Sequence, residues 1–330
     1  MTFTKFSLTA AFTGLAALAL VTTAEAETEI IFGISATPGS LQQQTAAEFT
    51  KVANEKLAGK AKVKLFDSSQ LGKDKDLMQK LKLGTVHIAL PSSIMASISD
   101  EFAVFDMPFL VANRDHVAKI EAEIFWPKIA PTVEDDGYKV LAVWENGVRH
   151  ITNNVRPIKT PADLDGIKIR TPKSTWRVKM FQAWGANPTP MSFSEVFTGL
   201  QTGVIDGQEN PYTNINSAKL NEVQKYLSKT GHVYSPAYPT MGKAFYDGLD
   251  PAIRSVLENT ARELEVWARK KGGEADDTLR KKLIDGGMQY NEADRDAFVK
   301  ASKPIYDAFA AEVKGGQEMI DKAISLAAGS

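Results

Sequence analysis

Between Glu29 and Leu90 the sequence switches back and forth between two hydrophobic periods, and nothing else in it constrains the fold as tightly. Glu29 to Ser35, Lys62 to Phe66 and Val86 to Leu90 read as strands, while Leu41 to Leu57 and Asp74 to Leu83 read as helices. Such βαβ alternation implies a largely parallel sheet flanked by helices. In sheets of this kind the crevice for a ligand opens outside the carboxyl ends of the strands. Ser35 and Ser92-Ser93 fall at or just past strand ends. A serine there serves equally well as a turn or capping residue or as a ligand contact.

The stretch Gly166 to Tyr212 carries the most chemistry. Gly166 to Thr171 alternates as a short strand that Pro172 stops, which leaves Arg170 at a strand's carboxyl end. A planar guanidinium there suits a carboxylate, because it offers two parallel charge-assisted hydrogen bonds and stays charged when partly desolvated. Ser192 and Glu195 have the spacing of a capping box. Gly203 and Gly207 bracket an expected strand, Val204 to Asp206, which leads to a turn at Asn210-Pro211. Upstream, Tyr138 to Trp144 reads as a strand, and Asn146-Gly147 as the turn into a second strand, Val148 to Thr152. Arg149 projects from one face of that second strand. Thr175 to Trp184 reads as a helix whose large apolar residues point to a core role for Trp184, while Trp176, in the first turn near Arg170, is a candidate pocket wall.

Several separated pieces, in order, resemble the periplasmic solute-binding subunits of tripartite ATP-independent (TRAP) transporters. They are Ser68-Ser69-Gln70-Leu71-Gly72, Asp106-Met107-Pro108-Phe109, Lys168-Ile169-Arg170, Phe193-Ser194-Glu195-Val196 and Asp206-Gly207-Gln208-Glu209-Asn210-Pro211. The resemblance spans nearly the whole chain after its leader. It implies a two-domain α/β clamp of mixed, mainly parallel sheets with a long helix spanning both domains, and a small organic acid anion as ligand. The implied partners are a small and a large integral membrane subunit driven by an ion gradient. Arg149 matches a position that often adds a second positive contact, and Phe193 and Tyr212 match positions where an aromatic flanks the ligand. Ser92 and Met95 stand where sialic-acid-binding relatives carry an acidic and a basic contact, which argues against sialic acid. The expected ligand set is therefore Arg170, Arg149, Asn210, Phe193, Trp176, Ser92, Ser35, Tyr212 and Met95.

Residues 1–26 read as a secretory signal, with Lys5 in the n-region, an apolar run from Leu8 to Val21 and cleavage after Ala26 in Ala24-Glu25-Ala26. This places the mature protein in the periplasm. A chain of 330 residues exceeds what one core usually serves. The expected division is 27–147 with 236–275 as one domain and 148–235 with 276–330 as the other, the ligand cleft lying between them. Asp250-Pro251 opens a helical pattern that runs to about Ile284 and stops at Gly286-Gly287; Gly272-Gly273 is a candidate bend within it.

With 39 basic and 40 acidic residues, the chain has no electrostatic case for nucleic acid. Zero cysteines exclude disulfides, thiol catalysis and a lipidated N-terminal cysteine. His87, His116, His150 and His232 have no metal-ligand spacing, and no hydrolase elbow, Walker loop or dinucleotide fingerprint is present, so neither a cofactor nor enzymatic chemistry is expected. Asp206 and Glu209 could be imagined as an acid/base pair of a secreted hydrolase, but read better as residues that shape a turn. A receptor for an ATP-driven importer or a sensor kinase would share the same clamp. Monomer and homodimer both remain open, as does the identity of the acid.

Overall fold

The computed structural model describes residues 27–327 together with residues 1, 2 and 4. The leader's apolar run and its cleavage site lie outside the described residues. Among the described residues no helix is long and apolar enough to cross a membrane.

The chain begins with the expected alternation: β1 (Thr28–Gly33), α1 (Leu41–Leu57), β2 (Ala61–Phe66), α2 (Asp74–Leu83) and β3 (Ile88–Ala89). Residues 93–133 follow as short 3-10 turns, helix α3 (Arg114–Ile120) and a π-helical turn over Glu121–Ile129. Next come β4 (Tyr138–Val140), β5 (Trp144–Asn153), β6 (Lys168–Thr171), α4 (Thr175–Ala183), β7 (Asn187–Pro190), α5 (Val196–Gln201), β8 (Gly207–Asn210) and α6 (Tyr212–Ser217). The remainder is β9 (Tyr226–Ala237), β10 (Thr240–Gly242), α7 (Lys243–Gly248), α8 (Pro251–Asp285), β11 (Gln289–Glu292), α9 (Arg295–Ala301), α10 (Lys303–Glu312) and α11 (Gly316–Ala327).

These strands make two mixed sheets, ordered β2-β1-β3-β10-β4 and β11-β9-β5-β8-β6-β7. Two crossovers between the sheets, at residues 141–143 and 238–239, run side by side, and Leu141 N donates to Pro239 O at 2.8 Å. The expected domain boundaries at 147/148 and 235/236 fall just inside β5 and β9, whose ends pair as Trp144 with Ala237 and Glu145 with Pro236.

One apolar cluster seats α1 and α8 on the five-stranded sheet, with Phe49 packed edge-on to Phe32 and tilted against Trp144. A second joins α2 and residues 102–133 to α4 and α9–α11. Helix α8 starts as expected, since the Asp250 side chain accepts from Ala252 N and Ile253 N, and it runs unbroken through Gly272-Gly273. The first of these glycines has a packing role: a Cβ on Gly272 would stand 2.0 Å from Glu145 Oε1.

Three strand expectations are corrected. Tyr138 to Trp144 is not one strand: β4 ends at Val140, residues 141–143 cross between the sheets, and Trp144 opens β5. Asn146-Gly147 is no hairpin turn. It is a bulge within the single strand β5, where the register to β9 shifts between Glu145 and Gly147. Gly147 takes φ 131° beside Pro211, a conformation and an approach that a side chain would obstruct. Val204 to Asp206 is not a strand either. Pairing starts at Gly207, where a Cβ would lie 2.5 Å from Thr152 O, so this glycine serves close strand approach and has no positive φ.

Candidate ligand-binding site

A cleft of about 620 Å³, open solvent at its mouth included, lies where strand ends of the two sheets face each other. β6 contributes Arg170, β8 Asn210, the bulge in β5 Asn146, the chain beyond β1 Ser35, the chain beyond β3 Ser92 and Ser93, and the first turn of α2 Asp74. All but Asn146 follow the carboxyl-end rule for such sheets. Asn146 enters because the bulge turns an extra residue toward the cleft.

Arg170 is only 4% exposed. Its Nε and Nη2 donate to Met191 O at 2.9 and 2.7 Å, and no other protein acceptor among the described residues takes its remaining N–H groups. Among the described residues no carboxylate stands within ion-pair distance of it. Burial lowers its pKa to about 10, with Glu209 opposing that shift from a distance. The Phe193 ring lies 5.9 Å from the guanidinium carbon, close enough for a cation–π contact. Phe193 follows Ser192, whose capping box with Glu195 is formed as the spacing predicts. Glu195 also meets Lys73 of the opposite wall at 2.8 Å, and Thr37 Oγ1 reaches Ser217 Oγ at 3.0 Å, so both pairs bridge the mouth.

Arg149 also lines the cleft, but its fork is occupied. Nη2 donates to Glu209 Oε1 at 2.8 Å and to Asn210 Oδ1 at 3.1 Å, and Nε donates to Glu209 Oε2. Arg177, buried beneath, donates from Nη1 to Glu209 Oε2 at 2.7 Å and from Nη2 to Asp106 Oδ1 at 2.5 Å. His232 Nε2 completes the set 3.1 Å from Glu209 Oε2. Burial alone would raise the Glu209 carboxyl; Arg149 and Arg177 outweigh it and hold the group well below the usual range. Burial lowers His232, with Glu209 opposing, and pushes His150 well below the usual imidazole range. Glu209 is thus the anionic hub of a buried arginine network, a role the turn-shaping reading missed. Asp106 lies in a motif that the sequence singled out. Arg177, a cation within the apolar stripe of α4, was the signal left unread.

The amides are wired together. Asn210 Nδ2 donates to Gln208 Oε1 at 2.6 Å, and Asn214 Nδ2 donates to Asn146 Oδ1 at 3.1 Å and Asn210 Oδ1 at 3.3 Å. Ser92 Oγ donates to Pro236 O and accepts from Asn146 Nδ2. Ser35 Oγ donates to Asp74 Oδ1 at 2.5 Å. Gln42, Asn214, Ser192, Lys75 and Lys173 also line the cleft.

Of the nine residues expected in the site, Arg170, Arg149, Asn210, Phe193, Ser92 and Ser35 line the cleft. Three do not. Trp176 is 2% exposed, donates from Nε1 to Asp100 Oδ1 and packs edge-on to Phe309, because the first turn of α4 faces the core beneath Arg170. Tyr212 is buried against His150, ring centroids 4.2 Å apart. Met95 is wholly buried among apolar side chains. Trp184 is core, as expected.

Comparison with known proteins supplies the context. The family described as bacterial extracellular solute-binding protein, family 7, matches residues 32–312. A 2,3-diketo-L-gulonate-binding periplasmic protein of Escherichia coli is 37% identical over 93% of this chain and 94% of its own length. The sugar acid binding protein of Advenella mimigardefordensis, solved with galactonate, superposes with a TM-score of 0.87 at 31% identity over 92% of this chain and 98% of that one. A TRAP periplasmic solute binding protein from Sulfurospirillum deleyianum, solved with succinate, gives 0.86 at 31% identity over 92% and 100%.

Proposed function

The chain belongs to the bacterial extracellular solute-binding proteins of family 7, and from that premise we propose that it is a periplasmic receptor for a small organic acid anion, whose carboxylate sits on Arg170. The observation that carries this reading is the state of Arg170: a buried cation at the cleft wall whose one hydrogen-bond acceptor among the described residues is a backbone carbonyl. A buried charge is costly unless paired, so the site is built to receive an anion from outside. Arg149, held by Glu209 and Asn210 through Nε and Nη2, has Nη1 left to offer, while Asn210 and Asn146 offer amide hydrogens to the same ligand. The relatives solved with galactonate and with succinate are consistent with such an acid.

Two lobes, divided close to the expected boundaries at 147/148 and 235/236, swing about the paired crossovers at 141–143 and 238–239. A ligand touching both lobes stabilises the closed arrangement by its differential contacts. The closed receptor then docks on the small and large membrane subunits of an ion-gradient-driven TRAP transporter. The leader directs export and is cleaved after Ala26.

A thermal-shift screen against organic acids, with Arg170→Ala beside the parent, tests the reading. A ligand at about a hundred times its dissociation constant adds about 2.7 kcal/mol of stability. Loss of Arg170 should remove roughly 3 to 5 kcal/mol of binding, since the ligand's charge is left unpaired. Equal shifts in both proteins would remove Arg170 from the site.

A further inference from the structure

Two buried carboxyl groups lie outside the cleft, and anion capture uses neither. Glu265, midway along α8, and Glu121, which opens the π-helical turn over residues 121–129, are 9% and 6% exposed. They hydrogen-bond each other, a bond that needs a proton on one of them, since an ionised carboxylate only accepts. Their other partners divide unequally. Glu121 accepts from Trp126 Nε1 and from Arg269 Nη1, both at 3.1 Å, whereas among the described residues Glu265 accepts otherwise from Val143 N alone, at 2.9 Å. Val143 ends the crossover 141–143, whose Leu141 N donates to Pro239 O of the second crossover. Two acids thus face one guanidinium, and the crossover carries no titratable side chain. Other charged groups on the surrounding elements are engaged elsewhere. Arg262 stacks over the Trp126 ring at 3.9 Å, Glu145 is held by Arg114 and the Tyr234 hydroxyl, and Glu123, Lys128 and Glu263 pair with Lys322, Glu318 and Lys56.

We propose that Glu121 and Glu265 share one proton and so clasp the crossover to α8, and that loss of this proton loosens the hinge. Two carboxyl groups in one buried site resist ionising together, so the pair gives up its last proton late and as a unit. Burial, reinforced by Glu121, pushes the Glu265 carboxyl up to about 8, which sets the release at mildly alkaline pH. Once both groups are charged they repel, with little water between them to screen it. Glu121 is anchored by two donors and Glu265 by one, so Glu265 is the group that moves, and Val143 loses its seat. The clasp holds below this pH and opens as pH rises through it. Only its consequence for ligand exchange, a freer swing of the lobes, rests on the receptor reading.

Hydrogen exchange of the Leu141 and Val143 amides in the ligand-free protein, compared at about pH 6.5 and about pH 9.5 with intrinsic rates divided out, tests the clasp. Glu265→Gln is run beside the parent, because glutamine keeps an oxygen for Val143 N and an N–H for Glu121 but has no proton to lose. Glu121→Gln, which leaves a single carboxyl beside Arg269, is the second variant and keeps the test open should the first fold poorly. The expected result is that the parent loses about tenfold or more of its protection at these amides across the window, and each folded variant less than about threefold. Unchanged protection in the parent, an equal loss in the variants, or a loss shared by the buried amides of α1 overturns the assignment. The measurement uses no ligand, so its failure leaves the receptor reading standing, and failure of that reading leaves the clasp to be judged by exchange alone.

Discussion

Arg149 grips Glu209 side-on from the adjacent antiparallel strand, Nε and Nη2 each meeting one carboxylate oxygen, with both side chains almost wholly buried. The register that makes this contact pairs Ile151 with Glu209 and His150 with Asn210. It divides the arginines of the site into two kinds. Arg149 and Arg177 meet carboxylates inside the protein, whereas Arg170 has none within ion-pair distance among the described residues.

That division predicts opposite effects on the empty protein and on the complex. Arg170→Met should leave ligand-free stability unchanged or raise it by about 1 kcal/mol, because a desolvated cation without an ion pair is removed. Thermal unfolding of ligand-stripped protein checks this, and a fall of several degrees would mean that Arg170 is a structural residue.

Glu209→Gln should do the reverse. It strips the shared partner from Arg149 and Arg177 and leaves two cations buried together, at a cost of roughly 3 to 5 kcal/mol. Urea unfolding should show the loss in the midpoint at an unchanged slope.

Glu265 of α8 predicts a pH dependence. Its Oε1 accepts from Val143 N in the crossover between the sheets, and burial, reinforced by the nearby Glu121, pushes its pKa up to about 8. The folded state therefore holds this proton more tightly than the unfolded chain. Its stabilising contribution is full below about pH 4.5 and is lost as pH rises through 8. Glu265→Gln lacks that loss, so its stability relative to the parent should climb across this window and level off above it. His150 and His232, both lowered, destabilise toward acid in parent and variant alike and cancel in the difference.

The adjacent glycines of α8 should respond unlike each other. Gly272→Ala places a methyl on the buried Glu145 Oε1, within its ion-pair cluster with the partly exposed Arg114 and Asp276, and should cost more than about 2 kcal/mol. Gly273→Ala meets Arg114 Nη1 at an ordinary 3.7 Å and should gain up to about 1 kcal/mol from helix propensity. Denaturant midpoints of the two variants decide.

Lys73 and Glu195 bridge the mouth as a half-exposed pair. Such pairs are worth about 1 kcal/mol or less, so Lys73→Ala should speed ligand release less than about tenfold, and the effect should vanish in molar salt. Stopped-flow release rates at low and high salt measure it.

Local pattern sufficed for α1, α2 and α8, whose ends match the periodicity and caps in the chain, and for the placement of Arg170 at the end of β6. It failed at Asn146-Gly147, where the dipeptide suits a hairpin turn and only the long partner strand β9 makes it a bulge. Trp176 shows the same limit. Nearness to Arg170 along the chain suggested a pocket wall, yet the turn of α4 sends the ring into the core.

By itself the sequence determined what is decided by neighbours along the chain: the alternating architecture, the caps and stops of the helices, and which strand end carries a guanidinium. Tertiary structure alone decided which arginines are paired with carboxylates inside the protein and which is left without one. That outcome depends on the register between β5 and β8 and on the approach of α4 beneath them. Charges far apart in the chain neutralise each other only where folding has brought them within a few ångströms and excluded the water between them.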